Sequence, residues 1–113
     1  MPKKEIVYKF LITDDDRVTT RFIQKASKVI EFSVIYHARI DKRWKKVTAF
    51  DNAHDSLPHR HVYSPHKPEY KHLMNTKNPN KALTEAQSFI KKEFIKMRES
   101  YIISMRNVGG GES

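Results

Sequence analysis

The chain has 113 residues, with 22 basic against 13 acidic side chains, a formal charge of +9 and no cysteine. That is the length of one domain able to bury a core without covalent staples, and the missing cysteines exclude disulfides, thiolate nucleophiles and cysteine-ligated zinc. The positive field favours encounter with polyanions. No apolar run approaches the ~20 residues that cross a bilayer, and the charged opening Met1–Glu5 leads into no signal-peptide core, so a soluble, cytoplasmic protein is expected.

Glu5–Thr13 reads as a strand, with Val7, Lys9 and Leu11 alternating with Tyr8, Phe10 and Ile12, and the acidic turn Asp14-Asp15-Asp16 ends it. Arg17–Ser27 is ambiguous: Val18, Thr20 and Phe22 suit a strand, whereas residues 22–26 also suit a helical turn. The clearest period-two pattern runs from Lys28 to Ile40. There Ile30, Phe32, Val34, Tyr36, Ala38 and Ile40 share one face, against Glu31, Ser33, His37 and Arg39. Asp41-Lys42-Arg43-Trp44 then reads as a hairpin turn and Lys45–Asp51 as the returning strand. Short strands at His59–Tyr63 and Tyr70–Met74 follow, separated by Pro65 and Pro68.

The last element is a helix. Asn78 is a natural N-cap and Pro79 suits the first helical position, while Leu83, Ala86, Ile90, Phe94, Met97, Tyr101 and Met105 form one apolar stripe. The expected fold is α+β: an antiparallel sheet of about four to five strands packed against one long C-terminal helix. Residues 1–108 make a single basic domain, and residues 109–113, which hold all three glycines, a flexible tail. With no glycine before position 109, a P-loop or dinucleotide fingerprint is excluded. A helix from Pro79 to Met105 is about 40 Å long, against about 33 Å for a ten-residue strand. Either its far end, with Tyr101, Ile102 and Met105, overhangs the sheet and meets a protein partner, or the helix stops earlier.

The chemistry concentrates in one stretch. Five of the six histidines fall between positions 54 and 72: His54, His59, His61, His66 and His72. On a strand, His59 and His61 point to one face and Arg60 to the other, and Asp51 and His54 can return to the same place through a short loop. Three readings remain open. Two imidazoles can divide the proton work of metal-independent RNA cleavage, with Arg or Lys supplying charge. Alternatively, His59 and His61 chelate a divalent ion, completed by His54, His66 or Asp51. The third reading is a structural role on a basic surface. Upstream, Lys42, Arg43, Lys45 and Lys46 flank Trp44, which either offers a ring for base stacking or folds back onto the core.

The run Phe50-Asp51-Asn52-Ala53-His54, followed by Pro58-His59-Arg60-His61, resembles the signature of TumE-type toxins and related small prokaryotic families. The likeness spans about Val29 to Tyr63. It implies a toxin–antitoxin setting, a nucleotidyltransferase-like antitoxin as partner and RNA as the target. The chain departs from the pattern at Asp55, where a glycine is common.

The leading expectation is thus a toxin-like ribonuclease. His59 and His61 serve as its acid–base pair, Asp51 and His54 assist, and Lys42, Arg43, Trp44, Lys45, Lys46 and Arg60 hold nucleic acid, RNA before DNA. No metal or other cofactor is assigned. The alternative is a non-catalytic nucleic-acid-binding module or an accessory subunit of a ribonucleoprotein.

Overall fold

The computed structural model describes residues 2–53 and 56–107. These form six strands and one helix: β1 (Lys3–Thr13), β2 (Asp16–Lys25), β3 (Lys28–Ile40), β4 (Arg43–Asp51), β5 (His59–Val62), β6 (Tyr70–Leu73) and α1 (Pro79–Asn107). Each strand pairs antiparallel with its sequence neighbour, giving one meander sheet in the order β1 to β6. The class is α+β as expected, with six strands in place of four or five.

The ambiguous segment is a full strand. β2 is bonded on both edges, to β1 and to β3, so the helix-compatible run from Phe22 is held extended by two ladders; pairing outweighs local propensity. The tight turns explain how the meander manages without glycine. Ala26 and Ser27 have φ of 53° and 63°, and Asp41 and Lys42 have φ of 52° and 67°, the left-handed pair that a two-residue type I′ hairpin demands. The expected four-residue turn after β3 therefore shrinks to two residues, and Arg43 and Trp44 join β4.

A bulge corrects the face assignment of β3. Ile23 pairs with Glu31 and Gln24 with Val29, leaving Ile30 as the extra residue. Val29 is consequently 6% exposed and Ile30 39%, the reverse of strict alternation.

One face of the sheet packs on α1. Val18, Phe32, Val34, Tyr36 and Ala38 meet Ala82, Leu83, Ala86 and Ile90 across the interface, where the two alanines let the helix backbone approach closely. Asn78 caps the helix, its Oδ1 accepting the N–H groups of Asn80 at 2.9 Å and Lys81 at 3.2 Å. The buried Asp16 pins the other end: it accepts hydrogen bonds from the Tyr36 hydroxyl at 2.6 Å and from Thr13, and faces the Arg98 guanidinium at 3.3 Å.

The helix end does not overhang. At 29 residues α1 is about 43 Å long, and the 13 residues of β3 span about the same length. Tyr101, Ile102 and Met105 accordingly lie half-buried against the core cluster. Among the described residues no helix is long and apolar enough to cross a membrane.

Candidate functional site

Among the described residues the second face of the sheet carries no helix, and register decides what it displays. Asp51 pairs with His59 and Ala49 with His61, while Phe50 pairs with Arg60. Phe50 belongs to the core, so alternation turns Asp51, His59 and His61 onto the helix-free face. Opposite His61 stands only the methyl group of Ala49, which leaves room for the imidazole to lean toward Asp51.

The three side chains meet. Asp51 Oδ1 lies 3.0 Å from His59 Nε2, and Asp51 Oδ2 lies 3.1 Å from His61 Nε2. The two rings are edge to face at 4.7 Å. His59 is nearly closed to solvent at 5% side-chain exposure, whereas Asp51 at 20% and His61 at 15% are reachable. Asp51 is held by its own turn, Oδ1 accepting the Ala53 N–H at 3.0 Å.

The neighbouring residue secures that geometry. Asn52 extends the β3–β4 ladder with its side chain: Oδ1 accepts the Phe32 N–H at 2.9 Å, and Nδ2 donates to the Ile30 carbonyl at 3.1 Å. Its role in the Asp51-Asn52 pair is therefore to hold the strand end, not to face the site.

The far ring nitrogens also have partners. His59 Nδ1 is 2.8 Å from the Leu57 carbonyl, an acceptor, so Nδ1 carries the proton. His61 Nδ1 contacts the Glu69 carboxylate. Both Nε2 atoms thus converge on one carboxylate, while both Nδ1 atoms are anchored from behind.

From His61 a row of cations and rings continues across the same face. Tyr63 stacks on His61 at 6.2 Å with an 11° interplanar angle, and Lys46 Nζ sits 5.0 Å from the Tyr63 ring centre. Farther on, the Arg17 and Arg39 guanidinium carbons lie 4.4 and 5.7 Å from the Trp44 ring centre. Trp44 is therefore neither bare nor folded onto the core, but half-buried on the outer face beneath arginines. His37 lies within this row, its Nδ1 buried without a hydrogen-bond partner among the described residues. Burial first, then the charges of Arg17, Lys46 and Lys9, pushes its pKa down.

The remaining expected residues separate. Lys42 and Arg43 are exposed at the β3–β4 turn. Lys45, paired with the core residue Ala38, turns toward the helix side. Arg60 is a correction, because it lies on the helix side, away from the histidines. Its Nε donates to Thr48 Oγ1 at 2.9 Å, and its guanidinium carbon lies 5.5 Å from the Phe50 ring and 4.6 Å from the Phe89 ring; burial lowers its pKa. His54 lies outside the described residues. His66 and His72 are exposed, and His72, paired with Arg60, is on the opposite face from the centre.

Four contributors escaped the sequence reading. Tyr63 had a usable signal, being two residues beyond His61, just past the end of β5. Arg17 and Arg39 needed the sheet order to reach Trp44. Glu69 has no local signature, since the chain between β5 and β6 alone brings it back to His61.

The family model described as Domain of unknown function (DUF7718) matches residues 1–106. No curated protein and no solved structure matches the chain.

Proposed function

The chain belongs to the DUF7718 family, and we propose that it binds a single-stranded nucleic acid, RNA in the first instance, across its helix-free face and cleaves it at the Asp51–His59–His61 centre. One observation carries the reading: the centre is continuous with the row formed by Tyr63, Lys46, Trp44, Arg17 and Arg39. A strand lying along that face meets cations that can pair with phosphates and, beside them, the aromatic rings of Tyr63 and Trp44, the combination used for single-stranded binding. It then passes over a solvent-reachable cluster of an acid and two imidazoles. The charge of +9 supports capture of such a polyanion.

The test uses end-labelled single-stranded RNA and DNA of one sequence. RNA binding is expected to weaken linearly in log affinity against log salt, and Lys46→Glu to weaken it further. Cleavage is expected to disappear in His61→Ala while binding persists. In the setting implied by the likeness to TumE-type toxins, expression of the wild-type chain slows growth and His61→Ala relieves it. Salt-insensitive or absent RNA binding would refute the proposal. Binding with no cleavage would leave a nucleic-acid-binding module, for which the row alone suffices.

A further inference from the structure

We propose that Asp51, His59 and His61 are the ligands of one divalent first-row transition-metal ion. This concerns the same centre as the functional reading but does not require RNA to be the substrate. Three features lead to it.

First, the donors converge. One ligand atom from each of the three side chains lies within 4.8 Å of the others, and each imidazole Nε2 is about 3 Å from a different oxygen of Asp51. A tetrahedral ion with bonds of ~2.0–2.2 Å holds its ligands ~3.3–3.6 Å apart, which small side-chain rotations supply. A pair of histidines dividing proton transfer must instead stand on either side of the reacting phosphate. Here both Nε2 atoms face the same carboxylate, so neither can take or give a substrate proton without leaving Asp51.

Second, the proton count leaves a place for a cation. His59 Nδ1 must hold a hydrogen to bond the Leu57 carbonyl at 2.8 Å. A neutral His59 then turns a bare Nε2 lone pair toward Asp51 Oδ1. His61 has a carboxylate at each nitrogen, Glu69 at Nδ1 and Asp51 at Nε2. With Nδ1–H given to Glu69, its Nε2 is also a lone pair directed at Asp51. Three lone-pair donors facing one another repel unless a positive centre lies among them, whether two extra protons or one metal ion.

Third, the outer contacts suit ligation rather than a simple ion pair. A metal-bound histidine characteristically donates its other N–H to a backbone carbonyl or a carboxylate, which orients the ring and raises its basicity. Leu57 does this for His59 and Glu69 for His61. The small neighbour Ala49 and the cross-strand pairing of Asp51 with His59 hold the set on a rigid sheet. Two imidazoles and one carboxylate suit zinc, cobalt, nickel, manganese or iron better than magnesium or calcium. Among the described residues three side chains supply ligand atoms, and a site of three protein ligands has a position for water, the arrangement of a reactive site rather than a closed structural one.

The experiment uses chain purified without a histidine tag, stripped with a chelator and titrated with Zn²⁺ and Co²⁺ by calorimetry and visible absorption. One ion per chain is expected, with cobalt d–d bands of a low-symmetry site. His59→Ala, His61→Ala and Asp51→Asn are each expected to abolish the stoichiometric step, and Glu69→Gln to weaken it ~10–100-fold while keeping one site. His72→Ala, on the opposite face, is expected to bind as the wild type does. No stoichiometric binding by the folded wild-type chain would overturn the proposal, as would binding that survives His59→Ala and His61→Ala together. The two readings fail separately: a tightly held ion with no RNA cleavage sustains this inference and removes the ribonuclease reading. RNA cleavage by a folded chain that binds no ion stoichiometrically does the opposite.

Discussion

Asn52 and Phe32 are joined by a hydrogen bond from the Phe32 backbone N–H to Asn52 Oδ1 at 2.9 Å, one residue past the end of β4. Together with the bond from Asn52 Nδ2 to the Ile30 carbonyl, it continues the ladder past its last backbone pair, Ser33 with Asp51. Asn52→Ala strips the partner from a buried N–H, so a loss of about 1–3 kcal/mol is expected. Urea unfolding measures it. Because Asp51 is the adjacent residue, metal affinity at the centre is expected to fall as well, even under conditions where the variant remains folded.

Tyr36 and Asp16 form the second buried polar device, holding α1 to the sheet. Burial first, then the Asp16 carboxylate, drives the Tyr36 phenol far above its ordinary value of 10, so the hydroxyl stays protonated while the chain is folded. Tyr36→Phe removes a charge-assisted bond from a fully buried carboxylate, and a cost of about 1.5–3 kcal/mol is expected. A loss below about 0.5 kcal/mol in denaturant would mean that Thr13 and Arg98 suffice for Asp16.

The type I′ turns are built without glycine, which places Ala26 and Ser27 in the left-handed region. Each non-glycine residue there costs about 1–2 kcal/mol. The double substitution Ala26→Asn, Ser27→Gly supplies the residues that this turn prefers. A stabilisation near 1 kcal/mol is expected, read as a rise of several degrees in Tm. The centre lies on distant strands, so metal and RNA binding should be unchanged.

His37 makes stability depend on pH with a definite sign. Its folded pKa lies below the ordinary 6.5 because burial and the facing charges of Arg17, Lys46 and Lys9 oppose protonation. The unfolded chain therefore binds more protons in the window below about pH 6.5, and the stability held above that pH is lost as pH falls through the lowered folded value. His37→Gln removes this contribution alone. Denaturation at about pH 7.5 and about pH 5.5 should show the wild type losing more stability on acidification than the variant.

Arg60 and Lys46 separate folding from binding. Arg60 lies between Phe50 and Phe89 on the helix side, so Arg60→Ala is expected to cost about 1–2 kcal/mol of stability through lost cation–π and stem packing. Its RNA affinity should be unaltered. Lys46→Ala should do the reverse, leaving the melting curve in place and reducing the salt slope of RNA binding by about 1. If Arg60→Ala instead weakened binding in a fully folded protein, the proposed face would be the wrong one.

Much of the architecture was legible locally. Alternation along β3 and the stripe on α1 follow from period-two and period-3.6 burial, and Asn78-Pro79 marks the helix start because capping is chemistry between near neighbours. The spacing of His59 and His61 was enough to put both on one face of a strand. Boundaries and exceptions were less accessible. Ile30 could not be known as a bulge residue, because a bulge is a property of the β2–β3 pair, and β2 was ambiguous until both its edges were bonded.

What the sequence by itself determined is the set of available groups: no thiols, no glycine loop, a dense run of imidazoles beside Asp51, and an excess of cations. Which of those groups touch was decided only by the tertiary structure. Cross-strand register set His59 opposite Asp51 and turned Arg60 to the far face, and the chain after β5 returned Glu69 to His61. Sheet order gathered Arg17 and Arg39 around Trp44. Coordination and proton transfer depend on separations of a few ångströms between residues far apart in the chain, and backbone pairing between strands sets those separations.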